Sequence, residues 1–235
     1  MKQSIFRIIT FLFMMLILIP VLYYGVLIIK ARAETPKIAE EILAAAKVTF
    51  PGLTKEKLDA LLKIEDPEFF SHRGIDLKTP GAGLTTITQG IGKKIYFKKF
   101  RPGIRKIKLM LLSRFALDPC VSKEDQLTIF MNVIYMGRGK EGPVTGFAGA
   151  AREYFKKEFT ALSYDEYLSL VAMVIAPNNF HVINRPKSNK KRVERMKKVI
   201  SGQYKPKGLM DLYYGELEEE EKDGLAPASY FEKIY

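Results

Sequence analysis

The sequence predicts a mainly α-helical domain preceded by one N-terminal transmembrane helix. An uncharged apolar run follows the first few residues, and several later segments place apolar residues at i, i+3, i+4 and i+7. No alternating apolar and polar run is long enough to argue for a sheet. We expect residues 1–33 to form a short tail and the anchor, 34–204 the main domain, and 205–235 a C-terminal tail with an acidic run.

The apolar run near the N-terminus predicts the first element. No charge lies between Arg7 and Lys30, and a helix over this run spans roughly 33 Å, enough for a hydrocarbon core of about 30 Å. The alternative is a cleaved signal peptide, since Ala31-Arg32-Ala33 resembles a cleavage site. An h-region usually has only about 7–15 residues, so we expect a retained anchor. Positive charges flank both ends, so charge counting does not assign the orientation.

Capping patterns predict where further helices begin. Thr35-Pro36 combines an N-cap hydroxyl with a proline at the first helical position. Ser122 precedes a second helix with apolar residues on one face. Ser163 and Glu166 form a capping box ahead of a third helix, which we expect to stop at Pro177.

The composition limits the classes of function. Lys and Arg number 38 against 26 Asp and Glu, giving a net charge of +12, and 47% hydrophobic residues exclude an intrinsically disordered chain. The single cysteine, Cys120, excludes an intramolecular disulfide, and with only two histidines it argues against a metal centre. The positive charge indicates an anionic partner.

The positive charge is concentrated in two blocks. A solvated helix face is the ordinary alternative for each, but two blocks on an anchored domain favour phosphate groups, from a substrate or from lipid headgroups. No aromatic-interleaved motif accompanies them, so we expect no nucleic-acid partner. The blocks consist of Lys93, Lys94, Lys98, Lys99, Arg101, Arg105, Lys106 and Lys108, and of Lys187, Lys190, Lys191, Arg192, Arg195, Lys197 and Lys198.

One glycine pattern is set aside. Gly137-Arg-Gly139-Lys-Glu-Gly142 matches G-x-G-x-x-G but follows a predicted helix. A dinucleotide-binding fingerprint needs a strand, the glycine loop and a helix in that order. We therefore expect a flexible loop at this position.

Residues 64–76 hold the densest set of reactive side chains. Glu65 and Asp66 are adjacent and are followed by Phe69, Phe70 and His72. Apolar neighbours and a nearby acid can raise a glutamate's pKa toward neutrality, which suits a general base. On residue types alone, ordinary surface acids near a loop are the favoured interpretation.

This segment resembles the first signature of the peptidoglycan glycosyltransferases, glycosyltransferase family 51, which reads E-D-x-x-F-x-x-H-x-G. Further family motifs follow in the same order, and together they cover residues 48–201. The sequence is thus similar to this family, including its monofunctional biosynthetic transglycosylases. The later motifs are matched at residues 85–93, 105–109, 127–132 and 184–186, with Arg195 beyond them.

The resemblance implies a lysozyme-like glycosyltransferase domain, anchored in the cytoplasmic (inner) membrane by a single pass and acting on its extracytoplasmic side. It implies that lipid II, or a related undecaprenyl-pyrophosphate saccharide, is polymerised into glycan strands with inversion at the donor sugar. Glu65 would be the catalytic general base. The substrate-binding residues that it implies are Asp66, His72, Thr86, Gln89, Lys93, Arg105, Lys106, Asn132 and Arg195.

The same resemblance sets the expected ligands and partners. Lys93, Arg105 and Lys106 match cationic positions near the donor pyrophosphate, and His72 would hold its loop by hydrogen bonds rather than transfer a proton. We expect no protein-bound metal, with a divalent cation at the pyrophosphate as an alternative. The expected partners are the lipid substrate, the membrane and other cell-wall synthesis proteins.

Three positions depart from the family pattern. Leu109 and Thr128 stand where the third and fourth motifs have glutamates, and Gly90 stands where the second has a glutamine. Leucine cannot accept a proton, so one alternative is a catalytically impaired member that binds lipid-linked saccharide as a scaffold or regulator of the cell-wall machinery. Another is a lysozyme-like hydrolase using one glutamate as a general acid, although the anchor and the basic blocks favour the transferase.

Overall fold

The computed structural model describes residues 2–101, 103–222 and 225, and within them the chain is mainly helical, as predicted. The remainder of the predicted C-terminal tail lies outside the described residues. Two π-helical segments, Ser113–Leu117 and Ala151–Phe155, continue α4 and α7. The helices are α1 (Lys2–Ala44), α2 (Lys55–Glu65), α3 (Ile87–Ile95), α4 (Ile104–Leu112), α5 (Asp118–Cys120), α6 (Lys123–Val133), α7 (Gly146–Ala150), α8 (Tyr164–Val174), α9 (Pro186–Ile200) and α10 (Glu219–Lys222).

Helix α1 runs without a break through Thr35 and Pro36, so the helix start predicted there is wrong. Thr35 is fully buried and its hydroxyl donates to the Ala31 carbonyl at 2.6 Å, which leaves it to accept from the Tyr96 hydroxyl at 2.7 Å. Pro36 provides no N–H for the Arg32 carbonyl, and the Cys120 thiol contacts that oxygen at 3.9 Å instead. Tertiary partners therefore keep the helix continuous at its proline.

The first part of α1 exposes its apolar side chains. Among the described residues, the stretch Ile5–Ala44 of α1 is the only helix long and apolar enough to cross a membrane. Its most apolar window has a mean hydropathy of 2.6. Phe6, Leu16 and Ile29 are about 70% exposed, whereas Ala31, Thr35 and Ala39 further along are buried against the domain. The helix is thus free of the domain in its first part and packed on it in its second.

The core of the domain surrounds α6 and α8. Residues 126–131 of α6 are all buried, and this helix packs against α1, α3 and α7. Helix α8, which starts at the predicted Ser163–Glu166 capping box, packs against α9, and α2 lies against both. This arrangement brings the end of α2 and the start of α3 to one face of α8 and α9.

The glycine pattern at residues 137–142 forms a small sheet rather than a flexible loop. Strands β1 (Tyr135–Gly139) and β2 (Gly142–Thr145) pair antiparallel, with Arg138 opposite Pro143. Strands of five and four residues are too short to produce a recognisable alternation of apolar and polar residues, so no strand was predicted here. The hairpin follows a helix, which agrees with setting aside the dinucleotide fingerprint.

Beyond α9 the chain turns back over the domain; we call residues 204–222 the C-terminal strap. The Gly208 and Leu209 carbonyls accept from the Gly81 and Gly83 amides, each at 2.9 Å. At the far end the Arg195 guanidinium holds Glu221, with nitrogen–oxygen distances of 2.6 and 3.1 Å. The strap is thereby fixed to the loop before α3 and to α9.

Candidate active site

A cleft of about 430 Å³ opens where α2, α3, α8 and α9 meet the strap. Its polar side chains converge from distant parts of the sequence. Glu65 comes from α2, Thr85 and Thr86 from the start of α3, Lys93 from its end, and Arg192 from α9. Of the residue positions named by the family resemblance, the structure brings Glu65, Thr86 and Lys93 together in this cleft.

Glu65 is the last residue of α2 and its side chain is half-buried in the cleft. Burial raises the pKa of Glu65 from 4.5 to about 7, because the charged carboxylate loses water. The positive charge of Arg192 opposes the increase and the neighbouring Asp66 adds to it. Glu65 therefore has the pKa that a general base needs near neutral pH.

Asp66 lies behind Glu65 and is fully buried. One carboxylate oxygen is 2.8 Å from His72 Nε2, and the other accepts from the Ile87 amide at 2.9 Å. His72 Nδ1 accepts from the Gly74 amide at 3.0 Å, so its proton is on Nε2 and is donated to Asp66. Asp66 and His72 thus join the end of α2 to the start of α3, and His72 holds its loop by hydrogen bonds, as predicted.

The start of α3 forms the next part of the cleft wall. Thr86 is the N-cap: its hydroxyl accepts from the Gln89 amide at 3.1 Å and donates to the Gly74 carbonyl at 2.9 Å. The Gln89 side chain is fully buried behind this wall, and its oxygen accepts from Lys106 at 2.8 Å. The side-chain nitrogen of Gln89, Nε2, has no hydrogen-bond partner among the described residues.

The predicted cations lie at different depths. Lys93 lines the cleft, and burial lowers its pKa. Lys106 is only 5% exposed and donates to the Leu84 carbonyl, the Thr85 hydroxyl and the side-chain oxygen of Gln89. Burial, together with the charge of Lys93, lowers the pKa of Lys106 to about 7. Lys106 therefore supports the wall of the cleft, while Lys93 faces into it.

The structure does not bring Arg105 into this cleft. Adjacent residues of a helix point about 100° apart, so Lys106 faces α3 while Arg105 faces outward and donates to the Lys99 carbonyl at 3.2 Å. Arg105 lines a second, basic cavity of about 710 Å³ beside α1. That cavity is also lined by Tyr23, Tyr24, Tyr96, Phe97, Lys98, Lys99, Arg101, Ile104 and Lys108.

Asn132 and Arg195 also lie apart from Glu65. The Asn132 amide accepts from the Lys47 and Val48 amides and donates to the Val48 and Thr128 carbonyls, which ties the end of α6 to the segment after α1. Arg195 is paired with Glu221 of the strap. Substrate contact for these two residues remains a prediction.

Sequence reasoning missed Arg192 as a residue of the site. This arginine is 1% exposed and lies in the cleft wall, where it donates to the Ala172 carbonyl at 3.2 Å and the Leu212 carbonyl at 3.1 Å. A usable signal was present. Arg192 lies between Ser188 and Met196 at a spacing of four, on the face of α9 that is buried.

The three departures from the family pattern occupy different surroundings. Gly90 lines the cleft, where a Cβ would come within 3.2 Å of the Phe130 ring. Leu109 is fully buried in α4, and a Cβ on Gly92 would lie 3.0 Å from its Cδ1. Thr128 accepts from the Phe50 amide at 2.9 Å and lies apart from the cleft-lining residues. Only Gly90 therefore changes the cleft surface directly.

The fold and this cleft define a glycosyltransferase-like helical domain. The chain matches the family model described as Transglycosylase over residues 78–201, more than half of its length. It belongs to the transglycosylase family, and the resemblance to the peptidoglycan glycosyltransferases is confirmed together with the mainly helical, lysozyme-like fold. The matched residues begin after Glu65 and end before the strap.

Several relatives support this assignment. Penicillin-binding protein 1F of Bacillus subtilis is 30% identical over 158 residues, which cover 62% of this chain and 21% of the relative. A Cupriavidus necator protein, provisionally named a transglycosylase, is 30% identical over 155 residues, covering 61% and 63%. Penicillin-binding protein 1B of Escherichia coli is 29% identical over 161 residues, covering 63% and 19%. The chain thus spans about a fifth of the two penicillin-binding proteins.

Proposed function

We propose that this protein polymerises lipid II, or a related undecaprenyl-pyrophosphate saccharide, into glycan strands at the extracytoplasmic face of the cytoplasmic membrane. Helix α1 is the retained single-pass anchor. The apolar side chains exposed along its first part support the anchor, and the lipid-borne substrate that the family resemblance implies supports this side of the membrane. Other cell-wall synthesis proteins are its proposed partners.

The observation that carries this proposal is the position of Glu65 in the cleft with a pKa of about 7. In the proposed step, the acceptor sugar's hydroxyl oxygen attacks the donor's anomeric carbon, and Glu65 takes the hydroxyl proton. The bond from that carbon to the pyrophosphate breaks, and its electron pair leaves with the phosphate. Attack opposite the leaving group inverts the anomeric carbon.

Positive charge near Glu65 would stabilise the leaving pyrophosphate. Lys93 and Arg192 line the same cleft, and fixed cations aimed at a developing charge are usually a large term in such transfers. Burial lowers the pKa of Lys93, and a bound diphosphate would favour its charged form. Within the described part of the chain no three His, Cys, Asp or Glu residues could hold a metal ion, so a divalent cation would be held mainly by the substrate's phosphates.

The test is lipid II polymerisation by the full-length protein and its Glu65→Gln variant. The variant keeps the size of the side chain but has no base, so we expect turnover to fall about 10²–10⁴-fold while lipid II binding persists. Glu68→Gln is the matched control, because Glu68 is exposed three residues away. Polymerisation by Glu65→Gln at the wild-type rate would remove Glu65 from the mechanism.

A second candidate function is binding of the lipid-linked saccharide without turnover, as a scaffold or regulator. It is favoured by one observation: Glu65 is the only carboxylate among the described residues that line the cleft. Leu109, at the position of the family's second glutamate, belongs to the buried interior. On this alternative the wild type binds lipid II in a pull-down yet forms no polymer, which the same assay detects.

A further inference from the structure

The C-terminal strap supplies one wall of the cleft. Met210, Leu212 and Tyr213 line the same cavity as Glu65, although 145 or more residues separate them along the chain. The strap lies beyond residue 201, where the match to the family model ends. This wall is therefore a feature of the chain that the family match does not cover.

The strap fits closely against the loop that precedes α3. The Gly83 amide donates to the Leu209 carbonyl at 2.9 Å, and Gly83 itself has a φ of +68°. A Cβ at Gly83 would lie 2.5 Å from Leu212 Cδ2, closer than side-chain atoms approach one another. The positive φ therefore favours glycine here, and any side chain at this position would force the Leu212 side chain of the strap to move.

The strap also contacts the helix that carries Glu65. Tyr214 is 4% exposed, and its hydroxyl donates to the Ile64 carbonyl, one residue before Glu65, at 2.8 Å. Tyr214 adopts a φ of +60°, which is uncommon for a residue with a side chain and costs about 1 kcal/mol or more. The surrounding contacts hold the residue in this conformation.

The same segment holds Arg192, the cation whose charge lowers the pKa of Glu65. The Arg192 guanidinium donates to the Leu212 carbonyl at 3.1 Å and lies 5.6 Å from the centre of the Tyr214 ring. It also lies 5.1 Å from the Phe180 ring, so aromatic faces surround it. Without the strap, Arg192 would lose one hydrogen bond and its Tyr214 contact.

From these contacts we infer that Tyr214 is a positioning residue for Glu65, and that the strap is a working wall of the cleft on which the arrangement of Glu65 and Arg192 depends. The inference rests on the proposed function, because it assumes that Glu65 is the base. Its physical basis is that the strap covers the end of α2 and keeps water from that side of the cleft. If the strap loosens, water reaches Glu65 and its carboxylate becomes easier to form. Burial is the largest cause of the raised pKa of Glu65 and the opposing charge of Arg192 a smaller one, so renewed contact with water lowers that pKa even when Arg192 moves away.

The first experiment compares Tyr214→Phe with Tyr204→Phe in the full-length protein. Both remove one hydroxyl of the strap, but the Tyr204 hydroxyl bonds to Asp211 within the strap, whereas the Tyr214 hydroxyl bonds to the Ile64 carbonyl of α2. The carboxyl resonance of Glu65, identified by its loss in Glu65→Gln, is followed against pH by NMR with ¹³C-labelled glutamate. We expect Tyr214→Phe to lower the pKa of Glu65 by about one unit and Tyr204→Phe to leave it unchanged.

The second experiment crowds Leu212 of the strap without altering the strap itself. Gly83→Ala introduces a methyl group that forces the Leu212 side chain to move, whereas Gly202→Ala places one at a similar φ of +78° with no neighbour within 4 Å. Both substitutions place a side chain at a positive φ, so the difference between them reports mainly the contact with Leu212. We expect Gly83→Ala alone to lower the pKa of Glu65 and, with lipid II, to lower kcat about 10-fold or more at nearly unchanged KM.

The outcomes are distinct. An unchanged Glu65 titration in both Tyr214→Phe and Gly83→Ala would overturn the inference, as would equal shifts in the two controls. A wild type that forms no polymer, but whose Glu65 titration responds to the strap variants and not to the controls, would reject the proposed polymerisation and uphold the inference. Melting temperatures of all four variants identify any that fail to fold.

Discussion

The burial of Glu65 raises its pKa, which suits a general base but lowers the stability of the folded protein at neutral pH. Its pKa of about 7 in the folded protein exceeds the value of 4.5 in an unfolded chain, so the folded state binds more protons between these two pH values. The contribution of Glu65 to the free energy of unfolding therefore falls as the pH rises from 4.5 to 7, and it stays constant above pH 7. A shift of this size corresponds to about 3 kcal/mol.

We predict that Glu65→Gln stabilises the protein at pH 8 by up to about 3 kcal/mol and has little effect at pH 4, since glutamine carries no charge to desolvate. Denaturant unfolding at both pH values measures the difference, with Glu68→Gln as the exposed control. A variant that is less stable than the wild type at pH 8 would show that the Glu65 carboxylate is not penalised by burial.

At the scale of elements, the packing of α4 determines which substitutions Leu109 tolerates. Leu109 follows Arg105 by one turn, but Arg105 is exposed while Leu109 is fully buried beside Gly92. A glutamate at position 109 could restore the family carboxylate or disrupt the packing, and the burial of Leu109 favours disrupted packing. A carboxylate here would have to be buried without an established partner.

We predict that Leu109→Glu lowers the free energy of unfolding by about 3 kcal/mol or more, whereas Leu109→Met, which conserves volume, costs less than about 1.5 kcal/mol. Urea unfolding monitored by circular dichroism compares the two. If Leu109→Glu is as stable as the wild type and polymerises lipid II faster, the family glutamate can be restored and the missing acid limits turnover.

The same scale shows which elements the sequence could predict. The Ser163–Glu166 capping box forms as expected, with the Ser163 amide donating to the Glu166 carboxylate at 2.8 Å, because both partners are local. The grouping of Glu65, Asp66 and His72 could also be predicted from the sequence, since these residues lie within eight positions of one another. The helix start predicted at Thr35–Pro36 is wrong because groups distant in sequence stabilise the continuous helix: the Tyr96 hydroxyl bonds to Thr35, and the Cys120 thiol contacts the Arg32 carbonyl. Arg192 and the strap become part of the cleft only through tertiary packing.

At the scale of the whole molecule, α1 joins two environments. Its later residues are part of the domain: Thr35 bonds to Tyr96, and the Arg32 guanidinium donates to the Phe115 carbonyl at 3.1 Å. Its earlier residues expose large apolar side chains that water does not favour. The boundary between the two parts lies near Ile28, which packs against the domain.

We predict that deleting residues 2–27 leaves a soluble domain with a melting temperature within a few degrees of the full chain, whereas deleting 2–38 lowers it markedly, because Ala31 and Thr35 are lost from the packing. Co-flotation with lipid vesicles should be retained by the full chain and lost in the shorter forms. If the form lacking 2–27 still floats fully, the membrane is bound by the surface of the domain rather than by α1.

The continuity of α1 has a mechanical consequence for an anchored chain. In the anchored arrangement proposed above, an unbroken helix of 43 residues would leave no flexible joint between the bilayer and the domain. Because the helix packs on the domain from about Ile28 onward, its first part also fixes the direction in which the cleft opens. In this arrangement a membrane-borne substrate would reach the cleft by lateral diffusion and by rotation about the membrane normal. A single residue inserted into α1 would turn the cleft by about 100° relative to the membrane-spanning part.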